Sequence, residues 1–415
     1  MDCCSQPGLL PLEDALVRMR QQLLPVQGTE SVPLAQALDR VLASGILASI
    51  NVPASDNSAM DGYALRSIDV QSGLNTFEVI GESLAGHPFN VTGDIQHLSV
   101  GQAVRIMTGA MIPAGADAVV MQENIQRIGN HIHIKKTVVC NDNIRRAGED
   151  IRQGSEVLVK GHRINALDIG LLASLGITQV NVVRKLRVAI LSTGDELLMP
   201  GVTHSVGKIY DSNRPLLLAL LQRLAVDIKD IGIVADEPVL LRDAFTTAAD
   251  WADVVISTGG VSVGDADYTR TVLAEIGKID FWKIAIKPGK PFAFGKLGKG
   301  WFFGLPGNPV ATAVTYHQLV VPALRYLSGE VETTAIHITA IAGQRFKKHP
   351  GRMDFQRGIL RNVQGVNQVG SAGSQSSGVL SGMANANCYV CLEEARTSVD
   401  QGEVVNVIPF DRFIS

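Results

Sequence analysis

The segment "VVISTGGVSVGDAD", residues 254–267, decides the fold of this chain. Its first residues are apolar, and two glycines, a serine and two aspartates follow. This order is typical of a buried parallel strand that ends in a loop and leads into a helix. The glycines let the backbone turn tightly and bring its N–H groups close to a ligand.

The same pattern recurs on both sides of this segment. Apolar strand cores occur at 187–193, 282–286 and 301–305, and the loops "STGDEL", "IKPGKP" and "LPGNP" follow them. Amphipathic helices are predicted between the strands, one of them with a leucine face at 216–224. This alternation predicts a doubly wound, mostly parallel α/β domain over residues 186–326, with its ligand loops at the carboxyl ends of the strands.

The remaining segments predict three further domains. Residues 1–50 together with 141–185 form a mixed N-terminal domain, in which helices are predicted behind Pro11 and Pro33 and another is capped by Asn165. The other two predicted domains are β-rich, with short strands between turn residues: residues 51–140, and residues 327–415 as a C-terminal β-sheet or β-barrel. The fold class is therefore multidomain α/β and β.

Composition limits the classes of function. A chain of 415 residues exceeds the ~250–300 residues at which one core stops growing, so several domains are expected. The net charge of −3 argues against nucleic acid or an anionic membrane as partner, so an anionic substrate needs a local cluster of cations. The chain begins without the order of a signal peptide, and its longest apolar stretch is too short to span a membrane. A soluble, cytoplasmic protein is expected.

Two pairs of potential metal ligands are interpreted as structural. Cys388 and Cys391 form a lone Cys-x-x-Cys, but residues i and i+3 of a strand face opposite sides, so packed thiols are predicted. His131 and His133 share one face of a hairpin predicted around Gly129, with no third ligand nearby. A solvated hairpin face is therefore predicted there.

Lys287 and Lys290 are the strongest candidates for binding an anion, because prolines stiffen the turn that carries them. At ~4 Å and an effective dielectric of ~20, each ammonium attracts a unit negative charge by about 4 kcal/mol before desolvation. A helix N-terminus contributes only about 0.3–1 kcal/mol. In "STGDEL", Asp195 and Glu196 are read either as Mg²⁺ ligands or as acids that stabilise a helix dipole. In "LPGNP", Asn308 is predicted to cap a helix, and contact with ligand is left open.

These loops, together with "DNSAMDGYA" (56–64), "RIMTGA" (105–110) and "RRAGEDI" (145–151), closely resemble the molybdopterin molybdenumtransferase family, which includes bacterial MoeA and the E domain of gephyrin. The resemblance extends from about residue 9 to 412. It implies four domains and an elongated homodimer, in which the α/β domain of one subunit meets the β-rich domain of the partner. It also implies a reaction that joins molybdate to adenylylated molybdopterin, releases AMP and uses Mg²⁺.

The resemblance assigns roles to individual positions. Asp267 matches the acid needed to cleave the adenylyl phosphate, and Asp267 and Glu196 are the predicted metal ligands. The other positions tied to catalysis are Asp61, Thr108, Glu196, Asp236 and Asp150. The predicted substrate-binding residues are Gly259, Gly260, Ser262, Lys283, Lys287, Lys290, Pro306, Pro309, Arg357 and Ser377. Ser374 or Ser376 competes with Ser377 for its role, and Arg352 competes with Arg357.

Two other functions would be compatible with parts of this sequence. The chain could be a molybdopterin adenylyltransferase, which catalyses the preceding step, but the three domains outside the α/β domain argue against that activity. It could also be a partner-binding scaffold without catalysis, which the presence of Asp267, Lys287 and Lys290 argues against. The expected partners are small-molecule substrates and a second copy of the chain, with transient contacts to the molybdopterin adenylyltransferase and to molybdoenzyme acceptors.

Overall fold

The computed structural model describes residues 8–89, 97–260, 268–331 and 337–410. The chain divides into two compact units. The larger unit comprises Met1–Ser44, Lys160–Ile169 and Gln179–Ser415, and the smaller unit comprises Gly45–Val159 and Gly170–Thr178.

A mixed six-stranded sheet in the larger unit confirms the predicted doubly wound domain. In spatial order its strands are Val226–Val234, Leu186–Thr193, Val254–Thr258, Gly300–Leu305, Pro291–Leu297 and Gly277–Lys283. The first four are parallel to one another. Pro291–Leu297 runs antiparallel to both of its neighbours, Gly300–Leu305 and Gly277–Lys283.

Helices cover both faces of this sheet. Along Leu186–Thr193, alternate residues enter different cores: Val188 and Ile190 pack in one, and Ala189 and Leu191 in the other. Residues of a strand alternate between faces, so two separate cores require two covered faces. The first core includes residues of the helical segments Leu12–Gln22, Asn213–Leu221, Pro309–Thr315, Tyr316–Val320 and Val321–Leu327. The second core includes residues of Pro238–Trp251 and Tyr268–Ile276.

The C-terminal part of the larger unit is a closed barrel, as predicted. Its five strands each pair with the next, and the last pairs with the first: Met353–Val363, Val366–Ser371, Ile338–Ala342, Val404–Pro409 and Cys388–Leu392. The short strand Ile286–Lys287 joins the edge of Met353–Val363 from the α/β domain. The predicted strand at 282–286 is therefore split, because Lys283 ends one strand and Ile286 begins another in a different sheet. A short helix, Leu380–Ala384, precedes the strand Cys388–Leu392.

The N-terminal segments are only partly as predicted. The helix Leu12–Gln22 behind Pro11 is confirmed. The helix predicted behind Pro33 is wrong, because Thr29–Pro33 pairs as a strand with Gln179–Val183 and only a 3₁₀ turn, Leu34–Gln36, follows. The remaining short elements of this unit are a parallel pair near the first sheet: Leu197–Leu198 and Ile209–Tyr210.

The smaller unit is dominated by a second six-stranded sheet. In spatial order its strands are Ala118–Met121, Gly62–Leu65, Gln102–Ile106, Thr76–Ser83, His131–Ile134 and Ile125–Ile128. Two short ladders complete its β structure: Asn57–Ser58 with Ile144–Arg145, and Ile46–Leu47 with Glu156–Leu158. Its helical turns are Ser67–Gln71 and Gln122–Asn124. The helix Ala166–Ser174 begins in the larger unit, where Asn165 Oδ1 accepts hydrogen bonds from the N–H groups of Leu167 and Asp168, and this cap is confirmed.

The two pairs of potential metal ligands lie on strands of this fold. Cys388 and Cys391 are buried free thiols that pack in different cores on the two sides of their strand. The hairpin around Gly129 is confirmed, with His131 exposed and His133 beside the hydroxyl of Thr76. In the described ranges, no helix is both long and apolar enough to cross a membrane.

Candidate functional site

The glycine turn after Val254–Thr258 has a backbone that no other residue fits. Gly259 and Gly260 have φ values of +86° and +61°. A Cβ on Gly259 would lie 2.4 Å from the carbonyl oxygen of Thr193, and one on Gly260 would lie 2.4 Å from Thr269 Oγ1. The turn is therefore fixed by sterics at the carboxyl end of a central strand. Ser262 and Asp267, which the sequence places next in this loop, lie outside the described residues.

The lysine loop is anchored on two sides. Its strand Ile286–Lys287 is hydrogen-bonded beside Met353 and Asp354 of the barrel. Gly289, at φ +116°, packs so closely that a Cβ there would lie 2.5 Å from Thr315 Oγ1 of the neighbouring helix. The carbonyl of Lys290 accepts a hydrogen bond from Ile284 N at 2.8 Å, which closes the turn. Backbone contacts thus hold the loop in one place.

The lysine side chains differ in exposure. Lys283 is exposed at the end of its strand, whereas Lys287 and Lys290 are half-buried. The Lys287 ammonium donates to Asp354 Oδ2 at 3.4 Å while its side chain keeps 45% of its surface exposed. Lys287 is therefore held from one side and open to solvent on the other.

The segment "LPGNP" begins a helix at Pro309 with Asn308 at its N-cap, as predicted, but the Asn308 side chain does not make the hydrogen bond by which such a residue usually caps a helix. Asn308 occupies the N-cap position without a side-chain capping bond. Instead the N–H of Val310 donates to the carbonyl of Ser377 at 3.1 Å. A loop of the barrel therefore caps this helix, and Ser377 lies directly against the "LPGNP" turn.

Arg357 is buried, with 1% of its surface exposed. Its guanidinium donates to the carbonyl oxygens of Ser374 and Ser376, each at 3.3 Å. Its backbone N–H donates to Gln375 Oε1 at 2.8 Å. Burial lowers the pKa of Arg357, while Asp354 and Tyr389 oppose that effect. Arg357 thus shapes the serine loop that reaches Ser377, and its direct contact with substrate remains a prediction.

Three carboxylates gather at the ends of two adjacent parallel strands. Burial raises the pKa of Asp236, and the negative charges of Asp195 and Glu196 raise it further. The N–H of Asp236 donates to Asp195 Oδ1 at 3.1 Å. Carboxylate oxygens are the donors that Mg²⁺ prefers, and a divalent cation would relieve their mutual repulsion. Within the described ranges, however, no three His, Cys, Asp or Glu side chains are grouped closely enough to hold a metal.

The smaller unit brings two of the predicted residues together. Asp61 Oδ1 accepts hydrogen bonds from both the N–H and the hydroxyl of Thr108, each at 2.7 Å. The backbone bond and then the hydroxyl bond lower the pKa of Asp61. Asp150 is exposed, and its N–H donates to the carbonyl of Val52 at 3.0 Å.

A second carboxylate in the smaller unit joins two of the sequence motifs. Asp56 pairs with the guanidinium of Arg146 and accepts from Ala147 N at 2.8 Å. These contacts and that charge lower the pKa of Asp56, although its partial burial opposes them. The motifs "DNSAMDGYA" and "RRAGEDI" are therefore held together by an ion pair.

Comparison with known proteins agrees with this geometry. Family models match three segments: MoeA N-terminal region (domain I and II) at residues 10–176, a probable molybdopterin binding domain at 189–326, and MoeA C-terminal region (domain IV) at 339–410.

Curated relatives match along nearly the whole chain. A molybdopterin molybdenumtransferase of Haemophilus influenzae is 46% identical, covering 98% of this chain and 100% of that protein. One from Nostoc sp. is 36% identical, covering 97% and 93%. A solved molybdopterin biosynthesis MoeA protein of Pyrococcus horikoshii OT3 superposes with a TM-score of 0.83 at 29% identity, covering 97% of this chain and 100% of that one. The chain therefore belongs to the MoeA family.

Proposed function

We propose that this protein is a molybdopterin molybdenumtransferase, which inserts molybdenum from molybdate into adenylylated molybdopterin and releases AMP. The full-length match to relatives that carry this name supports the activity. The main structural support for the proposed molybdate site is the anchored loop of Lys287 and Lys290. This loop lies between the barrel strand Met353–Val363 and the helix Pro309–Thr315.

The chemistry of the substrate suits this loop. Molybdate is a tetrahedral dianion, and ammonium and hydroxyl donors bind such an ion by charge-assisted hydrogen bonds. Lys287, Lys290 and the serine loop around Ser377 are the proposed donors. The glycine turn of Gly259 and Gly260, with the exposed Lys283 and the turn of Pro306 and Pro309, provides the proposed contacts to the pterin substrate.

Release of AMP requires a P–O bond of the phosphoanhydride to break while an oxygen nucleophile forms a new bond to the adenylyl phosphorus. We propose that Asp267 orients or activates that oxygen and that Ser262 contacts molybdate. Glu196 and Asp267 would hold a divalent cation, with Asp236 beside them. A bound Mg²⁺ supplies charge neutralisation at the phosphate oxygens. Such a cation would compensate the charges of Asp195 and Glu196, which, after burial, raise the pKa of Asp236.

We also propose that the enzyme is a homodimer in which Asp61, Thr108 and Asp150 of one subunit act with the lysine loop of the partner. The bonds from Thr108 hold the Asp61 carboxylate in its ionised form, which supports a role as a fixed anion or hydrogen-bond acceptor. A cytoplasmic location and transient contacts with the adenylyltransferase and with molybdoenzymes belong to the same proposal.

The decisive assay mixes the protein with adenylylated molybdopterin, Mg²⁺ and molybdate, and measures AMP and completed cofactor together. Lys287→Gln should lower the rate at limiting molybdate by about tenfold or more, because it removes an attraction of about 4 kcal/mol that desolvation only partly cancels. Excess molybdate should restore much of the rate. Lys299→Gln, which removes an exposed lysine from a distant turn, is the matched control.

Equal rates for the Lys287 and Lys299 variants at limiting molybdate would contradict the proposed site. Formation of adenylylated molybdopterin from molybdopterin and ATP would identify an adenylyltransferase instead. Chelation of the divalent cation should stop AMP release, and added Mg²⁺ should restore it.

Mixing two impaired variants at limiting molybdate tests the shared site of the dimer. Asp61→Asn and Lys287→Gln subunits, each impaired alone, should regain up to about a quarter of wild-type activity when they are unfolded together and refolded at equal amounts. Half of the dimers would then be mixed, and each mixed dimer would hold one intact site. A twofold dimer would build each site from Lys287 of one subunit and Asp61 of the other, so both mutations would fall in the same site. Activity no higher than the mean of the two separate variants would exclude a site built from both subunits.

A further inference from the structure

Asp354 is a buried carboxylate that the sequence did not single out. It lies on the barrel strand Met353–Val363, in register with Lys287 of the adjoining strand, and only 3% of its surface is exposed. A buried ionised carboxylate is costly unless it is paired and hydrogen-bonded. Its partners therefore show what it stabilises.

Two side chains bind the same oxygen of this carboxylate. Lys287 Nζ lies 3.4 Å from Asp354 Oδ2, and Gln356 Nε2 donates to that oxygen at 3.0 Å. Gln356 is itself buried and also donates to the carbonyl of Lys347 at 2.8 Å, so the amide has a fixed orientation. The barrel thus fixes Asp354, and Asp354 holds the Lys287 ammonium.

A second lysine near Asp354 does not compete for it. Lys348 is 4% exposed, and its ammonium donates to the carbonyls of His349, Glu394 and Arg396 at 2.9–3.2 Å. Burial lowers the pKa of Lys348, and the charges of Asp354 and Lys287 act on it in opposite directions. Lys348 therefore fastens the barrel loops, whereas Lys287 keeps nearly half of its side-chain surface exposed.

We infer that Asp354 is a positioning residue for Lys287, fixing the ammonium where it meets the oxyanion. The inference rests on the proposed function, in which Lys287 binds molybdate. An ammonium has three donors, so the bond to Asp354 leaves two for the substrate. Holding a long side chain in its productive rotamer before binding lowers the entropy lost on binding.

Positioning by Asp354 and simple electrostatics predict opposite effects on molybdate binding. Asp354 is an anion beside a site for a dianion, so removing its charge would tighten molybdate binding if charge alone mattered. If Asp354 acts by positioning, the same change weakens binding. The direction of the effect therefore separates the two roles.

Asp354→Asn is the test variant, because its neutral amide gives up the charge-assisted bond that holds the Lys287 ammonium, while its oxygen can still accept the bond from Gln356 and Lys348 keeps its carbonyl partners. The half-saturating molybdate concentration in the AMP assay should rise about tenfold, equivalent to about 1.4 kcal/mol. The rate at saturating molybdate should change little. Titration of molybdate alone by calorimetry should show the same weakening. Asp400→Asn, which removes an exposed barrel carboxylate paired with Arg345 at 3.2 Å, should leave both quantities unchanged.

A double-mutant cycle links the effect to Lys287. Asp354→Asn should have no further effect on molybdate in a Lys287→Gln background, because there is no ammonium left to position. An unchanged or lowered half-saturating concentration in the single variant would overturn the inference, and so would an equal rise in both backgrounds. If Lys287→Gln itself leaves molybdate dependence intact, the proposed function fails as well.

Discussion

Replacing Gly259 with alanine is expected to abolish AMP release and to lower the free energy of unfolding by about 3 kcal/mol. A left-handed backbone costs an L-residue about 1–2 kcal/mol, and Gly259 has φ +86°. The added Cβ would also lie 2.4 Å from the carbonyl oxygen of Thr193. Thr193 ends the strand Leu186–Thr193, which pairs with a neighbouring strand on each side, so Thr193 has little room to move.

The measurement for Gly259→Ala is urea unfolding together with the AMP assay. Gly170→Ala is the matched control, because Gly170 is an exposed helical residue whose added Cβ would meet no atom within 4 Å. The control should retain or gain stability, by up to about 1 kcal/mol, since alanine is the better helix former. Equal unfolding midpoints for the two variants would show that the turn after Val254–Thr258 tolerates a side chain.

The periodic patterns of the sequence were sufficient to predict the main elements. The strand Val254–Thr258 with its glycines, the helix start at Pro309 and the hairpin around Gly129 all follow from short-range rules of burial, capping and turn geometry. The helix expected behind Pro33 failed for a long-range reason. Thr29–Pro33 pairs with Gln179–Val183, and such a partner about 150 residues away leaves no mark in the local pattern.

The candidate site was predicted as a set of residue types, but its supporting contacts were not. Lys287 can be identified from the sequence because prolines flank its turn. Asp354 lies in no sequence motif, and its pairing with Lys287 is visible only from the register of two strands. Arg357 was assigned to substrate by resemblance, and only the structure shows its guanidinium on the carbonyls of Ser374 and Ser376. Contacts made by buried polar groups depend on tertiary packing, which cannot be inferred from the residue pattern of a single sequence.

A partly buried histidine should make the larger unit sensitive to acid. His317 lies in the π-helical segment Tyr316–Val320, and its Nδ1 is 2.7 Å from the hydroxyl of Tyr389 in the barrel. Burial, and to a smaller extent the charge of Arg223, lowers the pKa of His317 to about 4. Burial raises the pKa of Tyr389, so its hydroxyl stays neutral throughout the acid range.

The sign of the effect follows from proton linkage. Between pH 6.5 and 4 the unfolded chain protonates His317 while the folded chain does not, so stability is complete above pH 6.5 and falls as the pH drops. A pKa change of about 2.5 units corresponds to a loss of about 3 kcal/mol once the pH is below 4. Urea unfolding at pH 7.5 and pH 5 should therefore show a loss of about 2 kcal/mol from this group. His317→Gln, whose amide can still bond Tyr389, should lose correspondingly less over the same interval. If wild type and variant lose stability in parallel, His317 is not the group that makes the fold acid-sensitive.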